Sequence, residues 1–269
     1  MDKVNRVKNM NSKRDNEVRD IWNTNAAFWD KRMGEGNDFH KLLIEPNQIE
    51  LLNIKKGDLI LDIACGNGQF ARRMTELGAK VTAIDFSDEF IKIAKLKPLS
   101  DKIDYKVIDV TNIDDLNKLS EYVFDAIVCT MAIMDIENIE PLINFLPGIL
   151  KNNGKFIFSV LHPCFNSGEN TLLHESNDSG GTIKNNYYIK VSNYLISQKN
   201  KGIGMSGQPK PQYYFHRPLS EILNVCFKNH FYMDGLREPS FKDIDNKSLY
   251  DNVYKNIPPA IICSFKLIK

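Results

Sequence analysis

The sequence predicts an α/β fold built on a mainly parallel sheet, and three observations carry that prediction. Short apolar runs alternate with helical patterns from Asp58 to about Leu161. The first run ends in an acid and a glycine turn, Leu59-Ile60-Leu61-Asp62-Ile63-Ala64-Cys65-Gly66-Asn67-Gly68-Gln69-Phe70. Each crossover is long enough for a right-handed strand–helix–strand unit.

The elements follow in order. Residues 1–20 are polar and charged, with no apolar core of a secretory leader, and 1–14 are expected to be loosely packed. Residues 15–33 and 40–53 carry apolar side chains at helical spacing (Val18, Ile21, Trp22; Leu42, Leu43, Ile49, Leu51, Leu52), split by Gly34-Glu35-Gly36-Asn37. Strands are expected near 59–64, 80–85, 103–108, 124–129 and 155–161, with helices near 69–77, 88–96 and 139–150. Asn152-Asn153-Gly154 reads as a turn before the fifth strand. From Pro163 to Pro211 the alternation fails in a stretch rich in Asn, Ser, Gly and Tyr, within which Tyr187 to Ser197 alternates like a strand. Such a segment in a compact domain reads as a lid, with a structural arm or dimer contact as the other use. A helix near 219–229 and strands near 231–237 and 260–268 complete the chain.

The glycine turn identifies a ligand class. Gly66 and Gly68 let a ligand approach the backbone, and the helix from Gln69 turns its free N–H groups toward it. Asp85 ends the second strand, 19 residues after Gly66, where an acid accepts from both ribose hydroxyls. Gly66-x-Gly68-x-x-Ala71 also fits the dinucleotide fingerprint, so NAD is the competing ligand. Asp62, four residues before Gly66, argues against it: a carboxylate there repels a pyrophosphate and attracts an ammonium or sulfonium. Asp109 closes the third strand, placed to accept from an adenine amino group, and Thr130-Met131-Ala132 follow the fourth. Acids at three successive strand tips suit S-adenosylmethionine better than NAD.

These residues resemble those of a class I S-adenosylmethionine-dependent methyltransferase of the bacterial small-molecule type, from about Trp22 to the C-terminus. Asp62-Ile63-Ala64-Cys65-Gly66-Asn67-Gly68 resembles the family's first motif, with Ala64 in place of its first glycine, which suggests a slightly different turn. The resemblance implies a Rossmann-like, doubly wound sheet of seven strands, the last antiparallel. It implies Asp85, Phe86 and Ser87 at the ribose and adenine, Asp109 and Val110 at the adenine edge, and Thr130 to Ala132 by the methionine part. It also implies that the N-terminal segment, Trp22 to Asp30 and Gly34 to His40, closes over the cofactor. The expected organisation is a helical cap over 1–53, a cofactor-binding domain over 54–162 and 213–269, and a substrate lid over 163–212.

In an open α/β sheet the acceptor lies beyond the strand ends. Methyl transfer needs a base only when the acceptor arrives protonated, and histidine suits that role near neutral pH. His216, in Tyr213-Tyr214-Phe215-His216-Arg217-Pro218, is the first candidate and His162 the second; for each, a structural hydrogen bond is the alternative. Arg217 is a candidate for a substrate carboxylate, or a salt bridge to a local acid. Asn37 and His40 are candidates for contact with cofactor or substrate, or for capping the second helix. Tyr213 and neighbouring aromatics are candidate pocket walls, with core packing as their other use.

Composition removes several classes. Net charge is +1 with 26% charged residues, so no strong field points to nucleic acid or membrane. No apolar run reaches the roughly 18–20 residues needed to span a bilayer. Five cysteines at 65, 129, 164, 226 and 263 form no CxxC pair and suggest a reduced, cytoplasmic protein. Cys65 and Cys129 read as packing residues. No metal-ligand spacing occurs, so no metal is expected. The expected function is methyl transfer from S-adenosylmethionine to oxygen or nitrogen of a small molecule. Nucleic-acid methylation, NAD-dependent reduction and non-enzymatic cofactor binding are the competitors, and a homodimer is compatible with the sequence.

Overall fold

The computed structural model describes residues 2–241 and 248–269. Its helices are α1 (Asp2–Met33), α2 (Glu45–Leu52), α3 (Gln69–Glu76), α4 (Asp88–Lys95), α5 (Ile113–Leu116), α6 (Glu140–Ile149), α7 (Leu219–Lys228) and α8 (Leu249–Val253). Its strands are β1 (Leu59–Ile63), β2 (Lys80–Asp85), β3 (Ile103–Val107), β4 (Phe124–Thr130), β5 (Leu150–Leu161), β6 (Glu169–Ser179), β7 (Thr182–Ser192), β8 (Gln198–Gly202), β9 (Gln212–His216), β10 (Phe231–Arg237) and β11 (Ala260–Leu267).

Seven strands form the central sheet in the order β10-β11-β5-β4-β1-β2-β3. β1, β2, β3, β4 and β5 pair in parallel, while β11 runs antiparallel to both β5 and β10. The expected doubly wound sheet with an antiparallel last strand is therefore what the chain forms. Strand order reverses between β1 and β4, and their C-terminal ends open the crevice in which such sheets bind ligands.

The inner strands are covered on both faces, which explains why β1 and β4 read as nearly continuous apolar runs. On one face Leu61, Ile63, Ile127, Phe156 and Phe158 pack with Leu142, Leu146 and Ile222 from α6 and α7. On the other, Ile60, Val81, Ala83 and Val128 meet Phe70, Met74 and Ile91 from α3 and α4.

Four local features depart from the sequence reading. The first helix begins at Asp2, not near residue 15; the loose packing expected over 1–14 concerns side chains outside the described ones. The helix expected over 40–53 opens with a π-helical turn, Phe39–Ile44, and becomes α-helical at Glu45. Pro46 explains the break, because it has no N–H for an i→i−4 bond to residue 42. Asn152-Asn153-Gly154 is not a turn ahead of β5 but lies inside it. Leu150 pairs with Phe124 and Lys155 with Ala126, so the residues between them bulge, with Asn153 at φ 59°. The stretch after β5 holds two hairpins, β6–β7 and β8–β9, where a single strand was expected.

The glycine turn leaves little room. Gly68 has φ 73° and caps α3, and a Cβ there would overlap the Tyr105 hydroxyl. Gly68→Ala should destabilise the protein by about 1–3 kcal/mol, read from denaturant unfolding. Wild-type stability would show that the loop and Tyr105 yield freely.

Candidate active site

One cavity of about 780 Å³ opens at the C-terminal ends of β1, β2 and β4. Small-molecule sites span roughly 300–1,000 Å³; the upper part of that range suits two ligands side by side.

Its floor is the glycine turn. Ala64 (φ 54°) and Gly66 (φ 54°) both take the left-handed conformation. At Ala64 that conformation carries about 1–2 kcal/mol of strain that a glycine would not bear. Asp85, at the tip of β2, accepts from Gly66 N–H at 2.9 Å and from Ser87 N–H at 2.8 Å. Those bonds fix both carboxylate oxygens over the turn. Asp62 is 1% exposed, and neither of its oxygens has a hydrogen-bond partner.

Burial pushes the Asp62 carboxyl up to about 8, with the Asp85 charge adding to the effect. Burial also pushes Asp85 up to about 6, opposed by the backbone N–H bonds from Ser87 and Gly66. Two acids facing a cavity without a cation between them cost the fold stability, so a cationic ligand is the fitting occupant. Burial likewise raises the Cys65 and Cys129 thiols, which keeps them protonated and unreactive.

The N-terminal helix roofs this floor. Arg19 pairs with Asp109 at 2.9 Å, Ser87 Oγ donates to Asn23 Oδ1 at 2.6 Å, and Asn67 Nδ2 donates to Asp30 at 2.9 Å. Trp22 packs against Phe90, with ring centroids 6.2 Å apart, and Trp29 against Trp22 at 5.4 Å. Asp109 also accepts from the Thr111 hydroxyl at 2.7 Å. The far wall comes from the stretch between β5 and β9: Ser167, Gly168, Asn170 and the 200–205 loop line the cavity beside Gln212, Tyr214 and His216.

Most of the residues singled out from sequence meet here. Asp62, Ala64, Cys65, Gly66, Asn67, Asp85, Phe86, Asp109 and Val110 line one end. Thr130, Met131 and Ala132 line the middle; Asn37, His40 and His216 also face the cavity. Asn37 Oδ1 additionally accepts from His40 N–H at 2.9 Å, and burial lowers the His40 pKa against the opposing pull of Glu45.

Five expected residues do not line it. Gly68 is the helix cap described above. Ser87 caps α4, accepting from Phe90 N–H, and faces α1. His162 is used structurally: Nε2 pairs with Glu238 at 2.9 Å and Nδ1 accepts from Cys164 N–H at 3.2 Å. Tyr213 donates to Glu17 at 3.0 Å and lies under the Lys199 and Lys201 ammoniums. Arg217 donates to the carbonyls of Ile136 at 2.7 Å and Ile133 at 3.4 Å, and to that of Glu137, so its charge is not offered to a substrate. Strand alternation explains the last two, because Gln212, Tyr214 and His216 share the cavity face of β9 and Tyr213 falls on the other.

Sequence reasoning missed Asp135, which follows β4 and lines the cavity with its carboxylate held by Gln212 at 3.3 Å. Its position five residues beyond the strand was the available signal.

The sheet order and the acid-rimmed glycine turn define a doubly wound α/β domain with a ligand crevice at its strand tips. Residues 61–158 match the family described as a methyltransferase domain. The chain is 31% identical over 140 residues to a Ubiquinone biosynthesis O-methyltransferase of Xanthomonas axonopodis, covering 50% of this chain and 56% of that protein. The chain thus spans about half the length of that relative. An uncharacterized protein of Haemophilus influenzae is 26% identical over 242 residues, covering 86% and 89%. Among solved structures, a putative S-adenosylmethionine dependent methyltransferase of Listeria monocytogenes shares the fold with a TM-score of 0.63 at 20% identity, covering 84% of this chain and 98% of that one. No described helix is long and apolar enough to cross a membrane.

An acid whose folded-state pKa is raised stabilises the fold fully below its unfolded value, near 4, and loses that contribution as pH rises through the folded value. The ligand-free protein should therefore lose thermal stability between about pH 5 and pH 8. Asp62→Asn should flatten the upper part of that slope in calorimetric melts. An unchanged slope in the variant would remove Asp62 as its source.

Proposed function

We propose that this protein transfers the methyl group of S-adenosylmethionine to an oxygen or nitrogen atom of a small molecule by in-line displacement. The observation that carries this reading is the shared cavity, with buried, unsatisfied Asp62 at the glycine turn and a histidine-bearing wall opposite. The relatives named Ubiquinone biosynthesis O-methyltransferase support a small-molecule acceptor. Five free cysteines support action in the reducing cytoplasm.

The residues fit the cofactor. Asp85 is oriented to accept from ribose hydroxyls, Phe86 and Val110 wall an adenine site, and Asp109 stands at its edge. Asp62 supplies a counter-charge near the methionine ammonium. The bound cofactor supplies a methyl carbon already activated by its sulfonium. What the protein adds is alignment, exclusion of water and handling of the acceptor's proton.

His216 is 3% exposed, and its Nε2 lies 2.8 Å from the Tyr194 carbonyl. A carbonyl only accepts, so Nε2 carries the proton. Nδ1, 2.9 Å from Ser167 Oγ, is then the acceptor for that hydroxyl. In this arrangement Ser167 Oγ takes the proton of an acceptor hydroxyl as its own proton passes to His216 Nδ1. The histidine acts through the serine, and the Tyr194 carbonyl fixes the tautomer. The stretch 163–212 acts as a lid over the acceptor, and residues 1–53 as a cap over the cofactor.

Two measurements test the reading. Asp85→Ala should weaken binding of S-adenosylhomocysteine by about 1–3 kcal/mol in calorimetry, since the ribose hydroxyls lose a charged acceptor; unchanged affinity would place the ribose elsewhere. In an acceptor screen read by S-adenosylhomocysteine release, His216→Ala and Ser167→Ala should each lower turnover by roughly 10²–10⁴-fold. Their affinity for S-adenosylhomocysteine should stay near wild type. Full turnover in either variant would end the proton-relay assignment.

A further inference from the structure

The acceptor's chemistry can be read from Asp135, on the reading that the cavity holds cofactor and acceptor together. Asp135 closes the 3₁₀ turn Ile133–Asp135 beyond β4, next to the Thr130–Ala132 stretch. Its Oδ1 accepts from Gln212 Nε2 at 3.3 Å, and no other hydrogen bond reaches its carboxylate among the described residues. Burial raises its pKa well above the ordinary range, against the bond from Gln212. Asp135 is partly buried on the cavity wall; a carboxylate there with one hydrogen bond is costly, and a fold that only needed to fill space would place an apolar side chain in its position.

This chain instead builds a scaffold for it. Gln212, 1% exposed, is itself held by Gln208 Nε2 at 3.3 Å. Gln208 Nε2 also donates to the Lys210 carbonyl at 2.6 Å, and its Oε1 accepts from Gly204 N–H at 2.9 Å. Lys210 in turn exchanges two bonds with the fully buried Asn25 of α1: Asn25 Nδ2 to the carbonyl at 2.8 Å, and Lys210 N–H to Oδ1 at 2.9 Å. A line of buried amides thus runs from α1 through the β8–β9 connection to one carboxylate. Arg217 fastens the same turn from the other side through the Ile133 and Ile136 carbonyls. This is how a binding group is pre-organised.

Among the described residues no side-chain cation pairs with Asp135. Arg217 is spent on carbonyls, and Lys201 donates to Glu17 at 2.7 Å. The cofactor's ammonium has its own counter-charge in Asp62. We propose that Asp135, held by Gln212, is the specificity residue for the acceptor, and that the acceptor presents an amine to it. Trp29, Phe39, Met134 and Tyr214 line the same cavity with apolar surface, so an aromatic amine carrier is the fitting shape. An ammonium beside Asp135 favours its ionised form, and an acceptor that offers only a carboxylate gains no such pairing.

Matched probes test this in the full-length protein saturated with S-adenosylhomocysteine. Calorimetry would compare tyramine with 4-ethylphenol and 3-(4-hydroxyphenyl)propionate, and tryptamine with 3-methylindole and indole-3-propionate. The amines should bind at least tenfold tighter than their neutral and acidic partners. Asp135→Asn should erase that preference, and Gln212→Met should reduce it. Retained binding of S-adenosylhomocysteine by both variants reports an intact fold and cofactor site. The proposal is overturned if the carboxylates bind better, if no amine binds, or if the preference survives Asp135→Asn. It is also overturned if Asp135→Asn weakens S-adenosylhomocysteine itself by tenfold, which would assign Asp135 to the cofactor. Loss of S-adenosylhomocysteine binding by the wild-type protein would instead remove the methyltransferase reading beneath it.

Discussion

The carboxylate of Asp85 ties the site together. It accepts from the backbone N–H groups of Gly66 and Ser87, and so joins the turn after β1 to the turn after β2. The glycine turn is shaped by that contact as much as by its own residues. The acid at the tip of β2 holds this left-handed turn together with the Cys65 N–H bond to the Ile84 carbonyl at 2.9 Å and the Asn67 bond to Asp30. The same bonds keep Asp85 ionised more readily than its burial alone allows. Asp62 lacks any such relief. The pair therefore stores an electrostatic cost that a cationic ligand removes, and binding and stability are linked through the same two side chains.

Around that centre the chain closes a cavity with elements far apart in sequence. α1 reaches three successive strand tips through Arg19–Asp109, Asn23–Ser87 and Asp30–Asn67. It also reaches the β8–β9 connection through Asn25 and Lys210. α1 and the β8–β9 connection are thus hydrogen-bonded to each other, and α1 to the strand tips. A ligand that orders one is coupled to the other through buried polar bonds, whose loss is expensive in a low-dielectric interior.

β9 divides its work by side. Gln212, Tyr214 and His216 face the cavity, while Tyr213 meets α1 and Arg217, just past the strand, braces the turn after β4. The sequence shows this short aromatic and basic segment as a cluster, and alternation alone does not say which half faces the ligand. That is why His216 was legible as a cavity residue whereas Tyr213 and Arg217 were not. His162 takes the structural alternative for a related reason. It sits one residue past β5, and only the folded chain brings Glu238 to its Nε2.

The sequence by itself determined the sheet, the glycine turn and the acids at the three strand tips. These are local: strand and helix periods, turn residues and strand-end spacing are written in runs of a few residues and need no partner to be read. The tertiary structure alone decided which polar groups are spent and which are free. Asp135 acquires its meaning from Gln212, Gln208 and Asn25, and His216 from Ser167 and Tyr194. Those pairings span as many as 185 residues, and no periodicity records them. A hydrogen bond has both distance and direction, and only the packed chain supplies both.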